Sequence, residues 1–221
     1  MLAMTDKGKL LLGIFDAFER SRFRYVLLPP YDGLPDNPLS DVDLCVPVGQ
    51  VHAATALARR TAGNLGWQPV QTFLQPGGAI CLVLWNKATE ELLMLDTCGD
   101  YIERGLRALE ASKLVASRRN HENLFVLAPG MAFAYLVVRG VLKGKDPGVC
   151  ARALRAMFDL ESEACETALR EVFGSGARPS AAQICSNPEE SWKRLRSFFE
   201  KNLRKPNGSA LAEVKRCIGR L

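Results

Sequence analysis

The segment Leu39-Ser40-Asp41-Val42-Asp43-Leu44-Cys45-Val46 limits what this chain can fold into more than any other. Two carboxylates stand two residues apart inside an apolar run. On a β-strand successive side chains alternate faces. Asp41 and Asp43 therefore share one face, while Val42, Leu44 and Val46 take the other and enter a core. Two anions side by side on a strand repel each other. A cation between them relieves that repulsion. An oxygen-only ligand set suits Mg²⁺ or Mn²⁺, which are held by carboxylates together with substrate phosphates. A competing reading makes Asp41 and Asp43 solvated loop residues that cap the strand after Pro38, since Asp-x-Asp is a common pattern.

The remaining sequence sets the bounds. With 221 residues and 48% apolar side chains, the chain can build one large or two small cored domains. No run approaches the roughly 20 apolar residues of a membrane span. The polar start Met1-Leu2-Ala3-Met4-Thr5-Asp6-Lys7 lacks the apolar region and cleavage site of a signal peptide. Seven widely spaced cysteines without a C-x-x-C pair read as reduced thiols, so a cytoplasmic location is expected. Only His52 and His121 are present, which argues against zinc. The net charge of +5 suits a nucleotide or phosphate ligand without demanding nucleic acid. No Gly-x-x-x-x-Gly-Lys-Ser/Thr occurs, so a phosphate-loop kinase is not supported.

Along the chain, residues 5–21 have helical periodicity with Thr5 or Asp6 as cap. Residues 24–28 form a short buried strand stopped by Pro29-Pro30. Residues 31–40 are a loop and 41–46 a strand. Residues 51–64 are helical. Three strands follow, at 68–74, 79–85 and 91–97, joined by short turns into an antiparallel meander. Asp96 closes the last of these, where a charge is costly unless it is paired, exposed or metal-bound. Residues 100–111 are expected to be a short helix. A small hairpin is expected with arms 113–117 and 123–127 around the polar turn 118–122. After Pro129 the pattern is helical, at 131–142, 146–160, 163–173, 180–185, 188–203 and 209–221. The expected fold class is α+β: a mixed or antiparallel sheet with flanking helices over residues 1–127, then a C-terminal helical bundle over 128–221.

The order of a helix, a strand, a loop, Asp-x-Asp on a second strand and a third carboxylate ending a later strand resembles the polymerase-beta-type nucleotidyltransferase superfamily. The nearest resemblance is to small bacterial nucleotidyltransferase-like proteins with a Gly-Ser-Asp-Ile-Asp-Leu-Leu-Val segment, which stands here as Leu39 to Val46. Arg24-Tyr25-Val26-Leu27-Leu28, Gly33-Leu34-Pro35 and Arg104-Gly105-Leu106 also resemble that set. The likeness covers about residues 10–145.

The resemblance implies a metal-dependent transfer of a nucleotidyl group from a nucleoside triphosphate to a hydroxyl acceptor. Asp41 and Asp43 would hold Mg²⁺ or Mn²⁺. Asp96 would share a metal and help deprotonate the attacking hydroxyl. Ser40, Gly33, Arg139 and Lys143, with Lys145, would meet the phosphates. The acceptor would be a small molecule, a protein side chain or a nucleic-acid end. One departure stands out. The superfamily carries Gly-Gly or Gly-Ser after the first strand, opening a helix whose amides bind phosphate. This chain has Leu28-Pro29-Pro30-Tyr31, and proline offers no N–H. The alternative is therefore a catalytically inactive module on the same scaffold, which binds a nucleotide or a partner protein.

Overall fold

A computed structural model of the protein describes residues 4–31, 33–36, 38, 41–75, 77–103, 106–174 and 178–202. The architecture is α+β. A mixed seven-stranded sheet carries helices on both faces, with further helices toward the C-terminus.

Helix α1 (Asp6–Arg20) starts at Thr5, whose side chain accepts a hydrogen bond from the Gly8 N–H at 3.2 Å. Its apolar stripe, Leu10, Leu11, Ile14, Phe15 and Phe18, is buried. Strand β1 is only Val26–Leu27, because Pro29 and Pro30 cannot extend a ladder. Strand β2 is Asp41–Cys45 and helix α2 is Val51–Asn64. The expected meander is β3 (Gln68–Leu74), β4 (Ile80–Asn86) and β5 (Glu91–Cys98), with antiparallel β3–β4 and β4–β5 pairs.

Residues 100–111 are not the expected helix. They form the hairpin β6 (Tyr101–Glu103) and β7 (Leu106–Leu109), followed by helix α3 (Ala111–Ala116). Alternation of Tyr101, Glu103, Arg107 and Leu109 across a two-stranded pair wins over the Leu106/Leu109 helical spacing. The second hairpin is also shifted. Its arms are β8 (Arg118–His121) and β9 (Leu124–Leu127), and its turn is Glu122-Asn123, both with positive φ. The arm expected at 113–117 is instead largely helix α3. The polar run 118–121 is an outer strand of the sheet rather than a turn.

Strand order is β3-β4-β5-β2-β1-β9-β8. The β2–β5 and β1–β9 pairs are parallel and the others antiparallel. One face packs on α1 and α2 through Val42, Leu44, Leu82, Leu84, Leu93 and Leu95. Each such side chain, once fully buried, contributes about 1.5–3 kcal/mol. The other face carries Val26, Cys45 and Leu127. It is covered by α4 (Pro129–Leu142), α5 (Pro147–Phe173), α6 (Ala181–Ser186) and α7 (Pro188–Asn202). One core cluster thus runs across the change from strands to helices near Ala128. The two helices expected at 146–160 and 163–173 join in α5 across a kink at Glu161 (φ −145°, ψ 63°). The helix expected at 209–221 lies outside the described residues, as do Ser40 and Cys217. The other six cysteines are free thiols, as expected.

Helices α4 and α5 approach closely where Gly130 meets Ala164. A Cβ on Gly130 would run into the Ala164 carbonyl oxygen. Overpacking of this kind costs about 1–3 kcal/mol. Gly130→Ala is expected to lower the melting temperature by about 2–10 °C. An unchanged melting curve would show that the two helices can separate freely.

Candidate functional site

Alternation along β2 buries Val42 and Leu44 and turns Asp41 and Asp43 to the opposite face. Strand β5 lies parallel to β2, with Asp43 opposite Asp96 and Asp41 opposite Met94. Register partners share a face, so Asp96 joins the other two. One carboxylate oxygen from each of the three lies within 4.8 Å of the others. At that separation, and at an effective dielectric constant near 20, each pair of charges repels by about 3 kcal/mol. The arrangement needs positive charge.

Part of it comes from α4. Arg139 Nη2 lies 3.1 Å from Asp43 Oδ2, and both side chains are largely buried. Arg139 Nη1 donates to the Pro29 carbonyl at 3.2 Å, which ties α4 to the end of β1. Lys143, one helical turn further on, lines the same cleft. Two cations against three carboxylates leave the cluster net negative.

Burial, with the neighbouring Asp96, holds the Asp41 carboxyl above its ordinary range against the pull of Arg139 and Lys143. Burial raises Asp43 as well. Arg139 opposes that shift, while Asp41 and Asp96 add to it. Burial beside Asp96 pushes the Cys81 thiol up to about 12, so it stays protonated. Asp96 differs from its neighbours in how it is held. Gln75 Nε2 donates to Asp96 Oδ2 at 2.9 Å. Asp96 Oδ1 is buried and has no hydrogen-bond partner among the described residues, and neither does Arg139 Nε. A buried polar atom left unpaired costs about 1–3 kcal/mol. An all-oxygen donor set of three clustered carboxylates whose residues line one cleft fits a hard divalent cation.

The cleft has a volume of about 270 Å³. Its opposite wall includes Tyr101 from the β6–β7 hairpin and Tyr135 from α4. Their rings meet edge to face at 5.5 Å and 73°. Burial raises both hydroxyls. Gly77 brings the β3–β4 turn against Ile102, where a Cβ would come within 3.1 Å of the Ile102 carbonyl oxygen.

The fold therefore gathers Asp41, Asp43, Asp96, Arg139 and Lys143 at one cleft. Gly33 sits in a turn at φ +82° and is not among the described residues lining it. Lys145 lines a neighbouring cavity of about 270 Å³ that shares Arg139. Cys98 lines the cleft without a histidine beside it, and His52 and His121 are exposed elsewhere. Sequence reasoning missed Gln75, Tyr101 and Tyr135. For Gln75 the available signal was a polar side chain at a strand end just before Pro76-Gly77-Gly78.

Gln75 fixes the Asp96 rotamer from outside the carboxylate cluster. Loss of a residue that orients a metal ligand typically costs 10- to 100-fold in affinity. Gln75→Ala is expected to weaken Mn²⁺ binding by about tenfold with little change in melting temperature. Unchanged Mn²⁺ affinity would mean that Asp96 does not depend on this hydrogen bond or does not bind the ion.

No family model matches the chain, and no curated protein matches it significantly. The crystal structure of JHP933 from Helicobacter pylori is similar over 90% of this chain and 92% of that one, with 12% sequence identity and a TM-score of 0.41. A likeness at that level carries no argument about what this chain does. Among the described residues no helix is long and apolar enough to cross a membrane.

Proposed function

We propose that the protein is a divalent-metal-dependent nucleotidyltransferase on a nucleotidyltransferase-like α+β fold. In this reading it transfers a nucleotidyl group from a nucleoside triphosphate to a hydroxyl acceptor. The observation that carries the reading is the meeting of Asp41, Asp43 and Asp96 within 4.8 Å, in one cleft with Arg139 and Lys143. Asp41 and Asp43 would hold Mg²⁺ or Mn²⁺, with Asp96 sharing an ion. When bound, the ions supply charge neutralisation and in-line orientation of the triphosphate.

The chain's own residues supply the rest. Arg139 and Lys143 meet phosphate oxygens. Gln75 holds Oδ2 of Asp96, and the Asp96 carboxylate would accept the acceptor's proton as the acceptor's oxygen attacks the α-phosphorus. The bond from that phosphorus to the bridging oxygen breaks, and pyrophosphate leaves. The neighbouring cavity, walled by Tyr31, Leu136 and Met157 beside Arg139, suits the nucleoside or the apolar part of an acceptor.

A second reading has its own support. Arg139 already neutralises Asp43, and Pro29-Pro30 offers no amides to a phosphate. Both favour a non-catalytic module on the same scaffold that binds a nucleotide or a partner protein. Incubation with α-labelled nucleoside triphosphates, Mg²⁺ and a mixed acceptor pool separates the two. Pyrophosphate release with label transfer supports the enzyme. Nucleotide bound without turnover supports the module.

A further inference from the structure

The two outer strands of the sheet differ in a way that points to a partner. Strand β8 ends one side with Arg118, Arg119 and His121. Strand β3 ends the other with Gln68-Pro69-Val70-Gln71-Thr72-Phe73-Leu74, which carries no charge at all. Its side chains project into solvent on both faces. Val70 is 55% exposed, Phe73 40% and Leu74 46%. An uncharged, apolar outer strand is a template for pairing, which monomeric proteins usually blunt with lysine or other charges. Among the described residues nothing pairs with its outer side.

The backbone fixes which groups are offered. Gln75 N donates to the Ala79 carbonyl at 2.7 Å, and Gly78 N donates to the Gln75 carbonyl at 3.1 Å. Gln75 and Ala79 are therefore a hydrogen-bonded pair. Ladder pairs alternate, so Phe73 turns its N–H and C=O toward Cys81 on β4, while Thr72 and Leu74 turn theirs outward. Pro69, which has no N–H, and the irregularity between Pro69 and Gln71 bound the available stretch to residues 70–74.

We infer that β3 pairs antiparallel with β3 of a second copy of this chain, with a two-fold axis at Thr72. Self-pairing sets each residue against a residue of the same strand, so any charge on the strand would fall against or beside its own copy. Strand β3 avoids this. Self-pairing of β8 would crowd arginine against its own copies. With the axis at Thr72, the two threonines exchange backbone hydrogen bonds. Val70 of one copy faces Leu74 of the other, and Gln71 faces Phe73. The pairing joins the two sheets into one continuous sheet.

Sedimentation velocity of the full chain over a concentration series tests this. The wild type is expected to show a reversible monomer–dimer equilibrium. Thr72→Pro deletes the outward N–H without touching the β4 ladder. Leu74→Lys places a cation in the seam. Both are expected to be monomeric, with wild-type circular dichroism and melting. Val70→Glu alone is also expected to be monomeric. Mixing it with Leu74→Lys is expected to restore a dimer, because the introduced carboxylate of one copy then faces the introduced ammonium of the other. A wild type that stays monomeric throughout would overturn the inference. So would a dimer that both single variants leave intact, or a charge-swapped mixture that does not associate.

Discussion

Asp43→Asn is expected to abolish Mn²⁺ binding at the cleft and to lower nucleotidyl transfer by about 10²- to 10³-fold, the scale for losing one preorganised electrostatic group. Asp43 is more enclosed than Asp41, and it also pairs with Arg139 at 3.1 Å. The asparagine keeps the shape but leaves the guanidinium without a charged partner. Burial disfavours the Asp43 carboxylate even beside that guanidinium, so the two changes oppose each other and the melting temperature is expected to stay close to wild type. Electron paramagnetic resonance of added Mn²⁺ and a thermal melt read the two effects separately. Unchanged Mn²⁺ affinity in the variant would leave Asp43 as a structural partner of Arg139 and remove it from the metal site.

Arg139→Met is expected to have the larger effect on stability. It removes the cation set among three carboxylates while keeping most of the packing of α4. The cost is about 3 kcal/mol, at the low end for a broken buried pair. The loss depends on pH with a definite sign. Burial and neighbouring carboxylates hold Asp41 and Asp43 above their ordinary range, so the folded chain binds their protons more tightly than the unfolded chain does. The stability these two groups contribute is therefore greatest below the ordinary carboxylate range and falls as pH rises through the raised values. Removing Arg139 raises them further and steepens that fall. The variant's melting temperature, taken from neutral pH down through the carboxylate range, is expected to recover toward wild type. Millimolar Mg²⁺ at neutral pH is expected to recover it too. A variant that melts in parallel with wild type at every pH would show that repulsion among the three aspartates does not govern the site.

Much of the carboxylate cluster is legible in the sequence because it rests on strand alternation. Asp41 and Asp43 sit two apart in an apolar run, and Asp96 is a charge ending another. Both patterns are local. Arg139 is legible as a basic residue in an apolar helix, but its pairing with Asp43 depends on how α4 crosses the sheet, which no local pattern encodes. Gln75 escapes sequence reasoning for the same reason. It reaches Asp96 only because β4 lies between β3 and β5 and the hairpin folds its turn back over the sheet. Residues 101–109 mislead because their leucine spacing is compatible with a helix. The signal for the hairpin is Arg104-Gly105 between two short alternating runs. Residues 118–121 mislead because polarity marks a turn and an outer strand alike; only pairing with Leu124–Leu127 separates the two. The meander from Gln68 to Cys98 is legible throughout, since its turns are short and its strands long.

Calorimetric titration of each of the four nucleoside triphosphates, with and without Mg²⁺, on wild type and on Asp41→Ala/Asp43→Ala tests whether the carboxylate cleft binds a nucleotide through a metal. Binding to the wild type is expected to require Mg²⁺ and to be lost in the double variant. Binding that survives without Mg²⁺ or without the two aspartates would place the nucleotide elsewhere. Absence of binding by any nucleotide would contradict the assignment of this cleft as a nucleotide site.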